Sequence, residues 1–292
     1  MFFLPKYGII KVTTFSKEFI TMDVNRLFKA LETGKRDEVL KVLKENIPDK
    51  LYKFVWLDGS PTDDLKFKSL EEQNLWISKI TEFNDPFEFK GYFINAAEFR
   101  KYGYPEAVIK KYADCFDFSD EYGICCLSNT PIDYLPMWAY YTNTHRGFCI
   151  EYEVVKKDFL FEVMYEPKRI PVFSTILQLK DELLKFISGD KTFDSKKAHE
   201  LGYMFLLNML IKSDNWAHEK EFRLLYPIDK SKKGENISIS TLGLKMTKVI
   251  GGYKCLPADL ERLDQISKKL NGSGAYKINM SDSEFTTIEE LV

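Results

Sequence analysis

The stretch Phe148–Val154, FCIEYEV, alternates between two kinds of side chain. Aromatic and aliphatic residues occupy every second position, and a cysteine and two glutamates stand between them. Because successive side chains of a β-strand point to opposite faces, this period of two predicts a strand with one face in the core. The stretch FEVMYE at 161–166 alternates in the same way. We expect the two strands to be neighbours in an antiparallel sheet.

Strands and helices are predicted on both sides of this pair. Further strands are predicted at LYKFVWL (51–57), LWIS (75–78), YGICCLS (122–128), EFRLLY (221–226), ISIST (237–241), KVIGGY (248–253) and AYKINM (275–280). Helices are predicted at TILQLKDELLKFI (175–187), KKAHELGYMFLLNMLIKS (196–213), PADLERLDQISKKL (257–270) and, with Pro136 in its first turn, in the MWAYY segment. YGICCLS is apolar throughout and is expected to be central. Strands and helices do not alternate strictly, so we predict an α+β fold with a largely antiparallel sheet flanked by helices.

The first 48 residues are predicted to form a separate helical hairpin. DVNRLFKALETG (23–34) has an apolar face, with Asp23 as its N-cap and Gly34 as its end. DEVLKVLKENIP (37–48) repeats this pattern and ends before Pro48. The domain prediction is therefore a helical appendage at 1–48 and an α+β core domain at 49–292. The hairpin is expected to pack on this core or on a protein partner.

Composition excludes several classes of protein. The 292 residues are 45% hydrophobic with a net charge of −2 and dispersed Lys and Arg, which disfavours passive nucleic-acid binding. The five cysteines have no C-x-x-C spacing and are expected to be structural thiols. No run reaches the roughly 20 apolar residues that span a bilayer, and the first residues lack a leader pattern. These features predict a cytoplasmic protein without a membrane partner.

Familiar catalytic motifs are also missing from the sequence. It contains no G-x-G-x-x-G, no P-loop, no G-x-S-x-G and no His/Cys cluster with zinc spacing, so no metal is predicted. Four segments instead combine polar groups with aromatic residues: EFNDPFE (82–88), CLSNT (126–130), MWAYYTNTHRGF (137–148) and NWAHEKEFRLL (215–225). Candidate site residues are expected in these segments.

The combination of NDPFE, MW-x-x-Y and W-x-x-E-x-E-x-R resembles a known family. Together with LYKF, LWIS, CLS, HRGFCIEYE and VIGGY, these motifs are similar to domain-of-unknown-function family 2971, over roughly residues 50–285. Membership implies a bacterial protein of the kind encoded near toxin or phage-defence genes. It does not imply a reaction, so the residues themselves must indicate one.

In an extended EKEFRLL segment, Glu219, Glu221 and Arg223 point to one face. This E-x-E follows a strand that ends in Ser128 and an early strand that contains Lys53. That order is similar to the arrangement of ADP-ribosyltransferases, although Lys53 stands where those enzymes have an arginine or a histidine. The resemblance implies a split antiparallel sheet that holds NAD, as co-substrate, in its cleft.

The resemblance also implies roles for the candidate residues. Glu221 would stabilise positive charge at the ribose, and Glu219 would orient or deprotonate the acceptor, a protein or a nucleic acid. Ser128 would hold the nicotinamide ribose, and Trp138 or Tyr140 would stack on the nicotinamide. Four other residues complete the set of candidate binding residues: Lys53, Asp85, His145 and Arg223.

Structural interpretations of the same residues stay open. Glu219 or Glu221 would pair with Arg223 or Arg146 at a sheet edge, and Asp85 would cap a turn before Pro86. Trp138, Tyr140 and Tyr141 would be core residues on a short helix, and Ser128 a turn residue.

The leading hypothesis is an antiviral or toxin-like effector enzyme that transfers ADP-ribose from NAD or hydrolyses NAD. The alternatives are a non-catalytic sensor or interaction module, whose N-terminal hairpin binds a protein partner, and a nucleotide or glycoside hydrolase that uses Asp85 and Glu221.

Overall fold

The computed structural model describes residues 24–33, 35–83, 85–114, 121–192 and 194–292. The helices are α1 (Val24–Thr33), α2 (Arg36–Lys44), α3 (Thr62–Glu71), α4 (Ala96–Lys101), α5 (Glu106–Asp114), α6 (Leu135–Tyr141), α7 (Phe173–Ser188), α8 (Ser195–Leu210) and α9 (Pro257–Asn271). The strands are β1 (Lys50–Val55), β2 (Asn74–Ser78), β3 (Tyr92–Phe93), β4 (Tyr122–Ser128), β5 (Phe148–Val154), β6 (Leu160–Glu162), β7 (Met164–Glu166), β8 (Ile170–Pro171), β9 (Ile211–Ser213), β10 (Glu221–Pro227), β11 (Gly234–Ser238), β12 (Leu244–Gly251), β13 (Tyr276–Met280) and β14 (Thr287–Leu291). This mixture confirms the α+β class.

One large sheet organises the molecule. Among the described residues it has ten strands, eight of them in the order β11-β2-β4-β1-β5-β12-β13-β14, while β10 pairs with β4 and with β6. All of its pairs are antiparallel except β12 with β13. Strand β4 is central, as its apolar sequence predicts.

The sheet is split along one edge of β4. On its other edge β4 pairs with β10 over its whole length, from Glu221↔Ser128 to Pro227↔Tyr122. On the split edge it pairs with β1 only at Tyr52↔Ser128 and with β2 only at Ser78↔Ile124. Strands β1 and β2 therefore leave β4 from opposite ends, and a gap remains beside the middle of β4.

The predicted pairing of FCIEYEV with FEVMYE is wrong. Both edges of β5 are occupied, by β1 and by β12. The FEVMYE segment is interrupted at Val163, so its first part belongs to β6, which pairs with β10, and its second part forms β7, which pairs with β9. Alternation identified each strand, but pairing depends on where the chain turns, and a buried Val163 separates the two short strands here.

Several predicted boundaries also differ from the structure. The helix predicted at 196–213 ends at Leu210, and the next three residues form β9. The strand predicted at 237–241 ends at Ser238, because the Ser238 hydroxyl bonds to Ser240 and Thr241 in a turn. Helices α3, α4 and α5 and strands β3, β8 and β14 were not predicted.

The N-terminal hairpin packs on the chain's own core. Leu27, Leu31, Val39 and Leu43 are buried in a cluster that also contains Phe89 from the rest of the chain. The predicted N-cap Asp23 and end residue Gly34 lie outside the described residues. The hairpin's apolar face is thus used within the molecule, and the division at residue 48 stays a prediction. In the described part of the chain, no helix is both long enough and apolar enough to cross a membrane.

Candidate active site in the split of the sheet

A cavity of about 320 Å³ occupies the gap between β4 and the diverging strands β1 and β2. Its walls are largely apolar and come from both faces of the sheet. At one end it reaches a group of buried charged side chains. Glu88, Lys212, Glu219 and Glu221 line this end. A concave, mostly apolar cavity with a few convergent polar groups is the usual form of a ligand site.

Lys212 is the centre of the charged group. Its Nζ lies 2.7 Å from Glu219 Oε2, 2.9 Å from Glu221 Oε2 and 3.5 Å from Glu88 Oε1. Arg223, which is completely buried behind the cavity, contacts two of the same carboxylates. Its Nε lies 2.7 Å from Glu221 Oε1, and its Nη2 lies 2.7 Å from Glu88 Oε2. We call these five residues the charge cluster: Glu88, Lys212, Glu219, Glu221 and Arg223.

The local backbone around the two central glutamates is not the extended segment that the sequence predicted. Glu219 is the last residue of a 3₁₀ helix, Asp214–Glu219, and Lys220 has a left-handed conformation with φ 44°. Strand β10 begins only at Glu221. The two carboxylates therefore meet because a tight turn folds Glu219 back towards Lys212, and not because they alternate along one strand.

The pKa values of the two carboxyls shift in opposite directions. Burial by itself would raise the pKa of Glu221, but the charges of Arg223 and Lys212 outweigh burial and hold that pKa well below its ordinary value. Burial raises the pKa of Glu219, and the opposing charge of Lys212 does not cancel this effect. Burial likewise raises the pKa of Glu88. Carboxyls with separated pKa values in one site are typical of acid–base pairs.

Neighbouring hydroxyls hold the two glutamates in place. The Tyr141 hydroxyl donates to Glu219 Oε1, and the Ser128 hydroxyl donates to the Glu219 main-chain oxygen over 2.6 Å. Tyr165 accepts from the Glu221 main-chain N–H at 2.8 Å. Burial raises the pKa of both tyrosines, which keeps their hydroxyls protonated. Two hydrogen bonds thus fix the end of the 3₁₀ helix at Glu219, and a third fixes the start of β10 at Glu221.

Four predicted site residues line the cavity: Lys53, Ser128, Glu219 and Glu221. The Lys53 ammonium donates to the Cys126 main-chain oxygen at 3.1 Å, so the lysine reaches across the gap to β4. Arg223 supports Glu221 from behind, which agrees with the ion pair that the structural interpretation proposed. Ser128 is buried and bonded to the turn, so its hydroxyl already has a structural partner.

The other predicted binding residues are not part of the cavity lining. Asp85 accepts from Phe87 N at 2.8 Å, as expected of a turn residue. Trp138 is completely buried, and its indole N–H donates to Ile132 O at 2.6 Å. Tyr140 is 62% exposed on the outer surface, next to His218.

His145 is half-buried in a left-handed turn, and its main-chain oxygen accepts from Lys254 N at 2.9 Å. Neither His145 nor the rings of Trp138 and Tyr140 line the cavity in the described structure, so none of them is placed to stack on a ligand there.

Three residues of the site were not among the predicted ones: Glu88, Lys212 and Tyr141. Two of them lie in motifs that the sequence had already marked, since Glu88 ends NDPFE and Tyr141 ends MW-x-x-Y. Lys212 is the last but one residue of a segment predicted to be helical, so no local signal indicated it. Within the described residues, no group of three or more His, Cys, Asp or Glu side chains could hold a metal ion.

Residues 137–224 match the family model described as "Protein of unknown function (DUF2971)". The resemblance is confirmed for this segment, which extends from α6 into β10 and is shorter than the 50–285 expected. It contains Lys212, Glu219, Glu221 and Arg223, whereas Glu88 and Lys53 lie before it. No curated protein and no solved structure matches the chain.

Proposed function

We propose that the chain is an enzyme that cleaves the nicotinamide–ribose bond of NAD, with transfer of ADP-ribose to a macromolecule or to water. The observation that carries the proposal is the pair Glu219 and Glu221, which share Lys212 at the end of one cavity and whose pKa values are shifted in opposite directions. Separated carboxyl pKa values match the two tasks that such a reaction requires.

Glu221 suits the first task, which is to stabilise positive charge at the ribose. Breaking the bond between ribose and nicotinamide leaves both bonding electrons on the nicotinamide nitrogen, and C1′ of the ribose becomes electron-poor. A carboxylate that stays ionised and is fixed in advance stabilises this charge without reorganising. Arg223 and Lys212 hold Glu221 ionised and in one orientation.

Glu219 suits the second task, which is to accept the proton of the attacking group. The attacking hydroxyl or water forms a bond to C1′ and releases a proton. Because the pKa of Glu219 is raised, its carboxylate is a stronger proton acceptor than an ordinary one. Tyr141 and Lys212 orient this carboxylate through its two oxygens.

One observation favours a non-catalytic binding module as the second candidate. Each of the three carboxylates in the charge cluster already contacts Lys212 or Arg223 or both, as in a structural ion-pair network. Such a network would hold the split open for a ligand without reacting with it. No comparable observation favours the hydrolase pair, because Asp85 is not part of the cavity lining.

The test is to incubate the purified chain with NAD and a cell lysate, and to follow nicotinamide release and ADP-ribose transfer by mass spectrometry. We expect Glu221→Gln to remove activity, with a loss on the order of 10²-fold or more in kcat. Glu219→Gln should slow transfer and shift its pH profile, because the proton acceptor is lost.

The exposed Glu284→Gln is the matched control and should leave the rate unchanged. Melting curves must be recorded for all variants. Full activity in a folded Glu221→Gln variant contradicts the catalytic role. NAD binding without consumption by the wild type favours the binding module.

A further inference from the structure

Trp76 lies at the part of the cavity that the reaction does not use. It belongs to β2, lines the cavity, and is 50% exposed although it is a large aromatic residue. Its indole lies against the backbone of β11, since a Cβ on Gly234 would come within 2.4 Å of Trp76 Cζ2. One side of the ring is thus supported by the sheet, and half of the residue's surface stays open.

The register of the sheet places Trp76 on the same face as Glu221. Residues directly opposite each other in a strand pair share a face, as do residues two apart in one strand. Ser78 is opposite Ile124, and Glu221 is opposite Ser128. Ile124 and Ser128 are four residues apart in β4, and Trp76 and Ser78 are two residues apart in β2. Because all of these spacings are even, Trp76 and Glu221 lie on the same face of the sheet.

The two ends of the cavity are too far apart for a single ring. Strand β4 lies between β2 and β10, and the Trp76 indole lies over Gly234 of β11 on the far side of β2, so the ring and Glu221 are at least two strand spacings apart, on the order of 10 Å or more. A ligand that reaches both must have two recognition groups joined by a linker. Asn74 and Ser78, which also line the cavity, are on the same face two residues before and after Trp76. They can bond to the polar edge of a ring stacked on the indole.

We propose that Trp76 forms a stacking subsite for the purine ring of a dinucleotide whose other half lies at the charge cluster. The assignment of the second half rests on the proposed function, in which NAD carries the reacting ribose at Glu221 and an adenine at its far end. Base stacking on aromatic side chains tolerates any base, so the purine assignment follows from the adenine that NAD would place there.

Isothermal titration calorimetry with AMP, NAD and nicotinamide mononucleotide tests this subsite in three proteins: wild type, Trp76→Ala and Trp76→Phe. We expect Trp76→Ala to weaken binding of AMP and NAD by roughly five- to a hundredfold, the usual effect of losing one stacking side chain. Trp76→Phe should retain most of the affinity for both. Nicotinamide mononucleotide, which lacks the adenine, should bind all three proteins alike.

A second measurement does not depend on the stability of Trp76→Ala. The chain has four tryptophans, and AMP should quench the fluorescence of the wild type more than that of Trp76→Phe. Equal quenching, equal AMP affinity in Trp76→Ala, or no AMP binding by the wild type would overturn the subsite. If one of these results is found and Trp76→Ala still cleaves NAD at the wild-type rate, the subsite is rejected and the proposed function stands. AMP binding that depends on Trp76, without any NAD cleavage, supports the subsite and rejects the reaction.

Discussion

Glu219 and Glu221 share one ammonium group: Lys212 Nζ lies 2.7 Å from an oxygen of the first and 2.9 Å from an oxygen of the second. All three side chains are nearly excluded from solvent. Two carboxylates that are this close to one cation influence each other's ionisation, so a change at any one of the three residues alters the other two.

Replacing Lys212 with methionine should destabilise the chain strongly. The change removes the ammonium that contacts all three buried carboxylates, and removal of one partner from a buried ion pair costs about 3–5 kcal/mol. The free energy of unfolding, measured in urea, is the readout. Adding Glu219→Gln to Lys212→Met should recover part of the loss, because one uncompensated charge is removed. Strictly additive effects would mean that Lys212 and Glu219 do not interact.

Stability should fall with rising pH on account of Glu219. A carboxyl whose pKa is higher in the folded chain takes up a proton on folding, so the free energy of unfolding falls as pH rises from about 4.3 through the folded value. Burial raises the pKa of Glu219 in this way. Urea unfolding at a series of pH values should therefore give a shallower decline for Glu219→Gln than for the wild type. Identical pH profiles would contradict the raised pKa.

The opposite dependence is expected from Glu221. Its pKa is lowered in the folded chain, so its contribution to stability is present above about pH 4.3 and is lost as pH falls towards the folded value. Glu221→Gln should thus reduce the difference in unfolding free energy between pH 5 and about pH 3. The exposed Glu284→Gln serves as the control and should keep the wild-type difference.

Tyr141→Phe should shift the acidic limb of the pH–rate profile for NAD cleavage to higher pH. The Tyr141 hydroxyl donates to the Glu219 carboxylate and so lowers the pKa of that carboxyl. Without this hydrogen bond the pKa rises further, and the change should be up to about one pH unit. Tyr140→Phe is the matched control, because the adjacent tyrosine is exposed and is not part of the cavity lining. A shift in both variants, or in neither, would argue against a direct effect on Glu219.

Two glycines should respond oppositely to alanine. A Cβ at Gly147 would lie 1.9 Å from the Val55 main-chain oxygen, so Gly147→Ala must push β1 away from the start of β5. Overpacking of this kind costs about 1–3 kcal/mol or more. Gly202 in α8 has open space around it, and Gly202→Ala should stabilise the chain by about 0.5–1 kcal/mol. Differential scanning calorimetry distinguishes the two directions, and a stable Gly147→Ala would show that β1 and β5 are not as close as described.

The sequence by itself determined the fold class, many of the elements and the segments that carry the charge cluster except Lys212. Period-two alternation located β5, and a continuous apolar run located the central β4. The expectation that only one face of β5 lies in the core is wrong, because Cys149 and Glu151 on its other face are buried as well. The sequence also marked the motifs that contain Glu88, Tyr141, Glu219 and Glu221, because these short segments combine polar groups with aromatic residues.

Only the tertiary structure decided which of these residues meet. The separation of β6 from β7 and the turn at Lys220 depend on contacts between segments that are distant in the sequence. The local periodicity of the sequence does not predict such contacts. Lys212 shows this most clearly. Its own surroundings in the sequence are those of an apolar helix, but long-range pairing of β9 with β7 brings its ammonium among three carboxylates. A buried charge is stable only where such partners converge, and this convergence is a property of the folded chain.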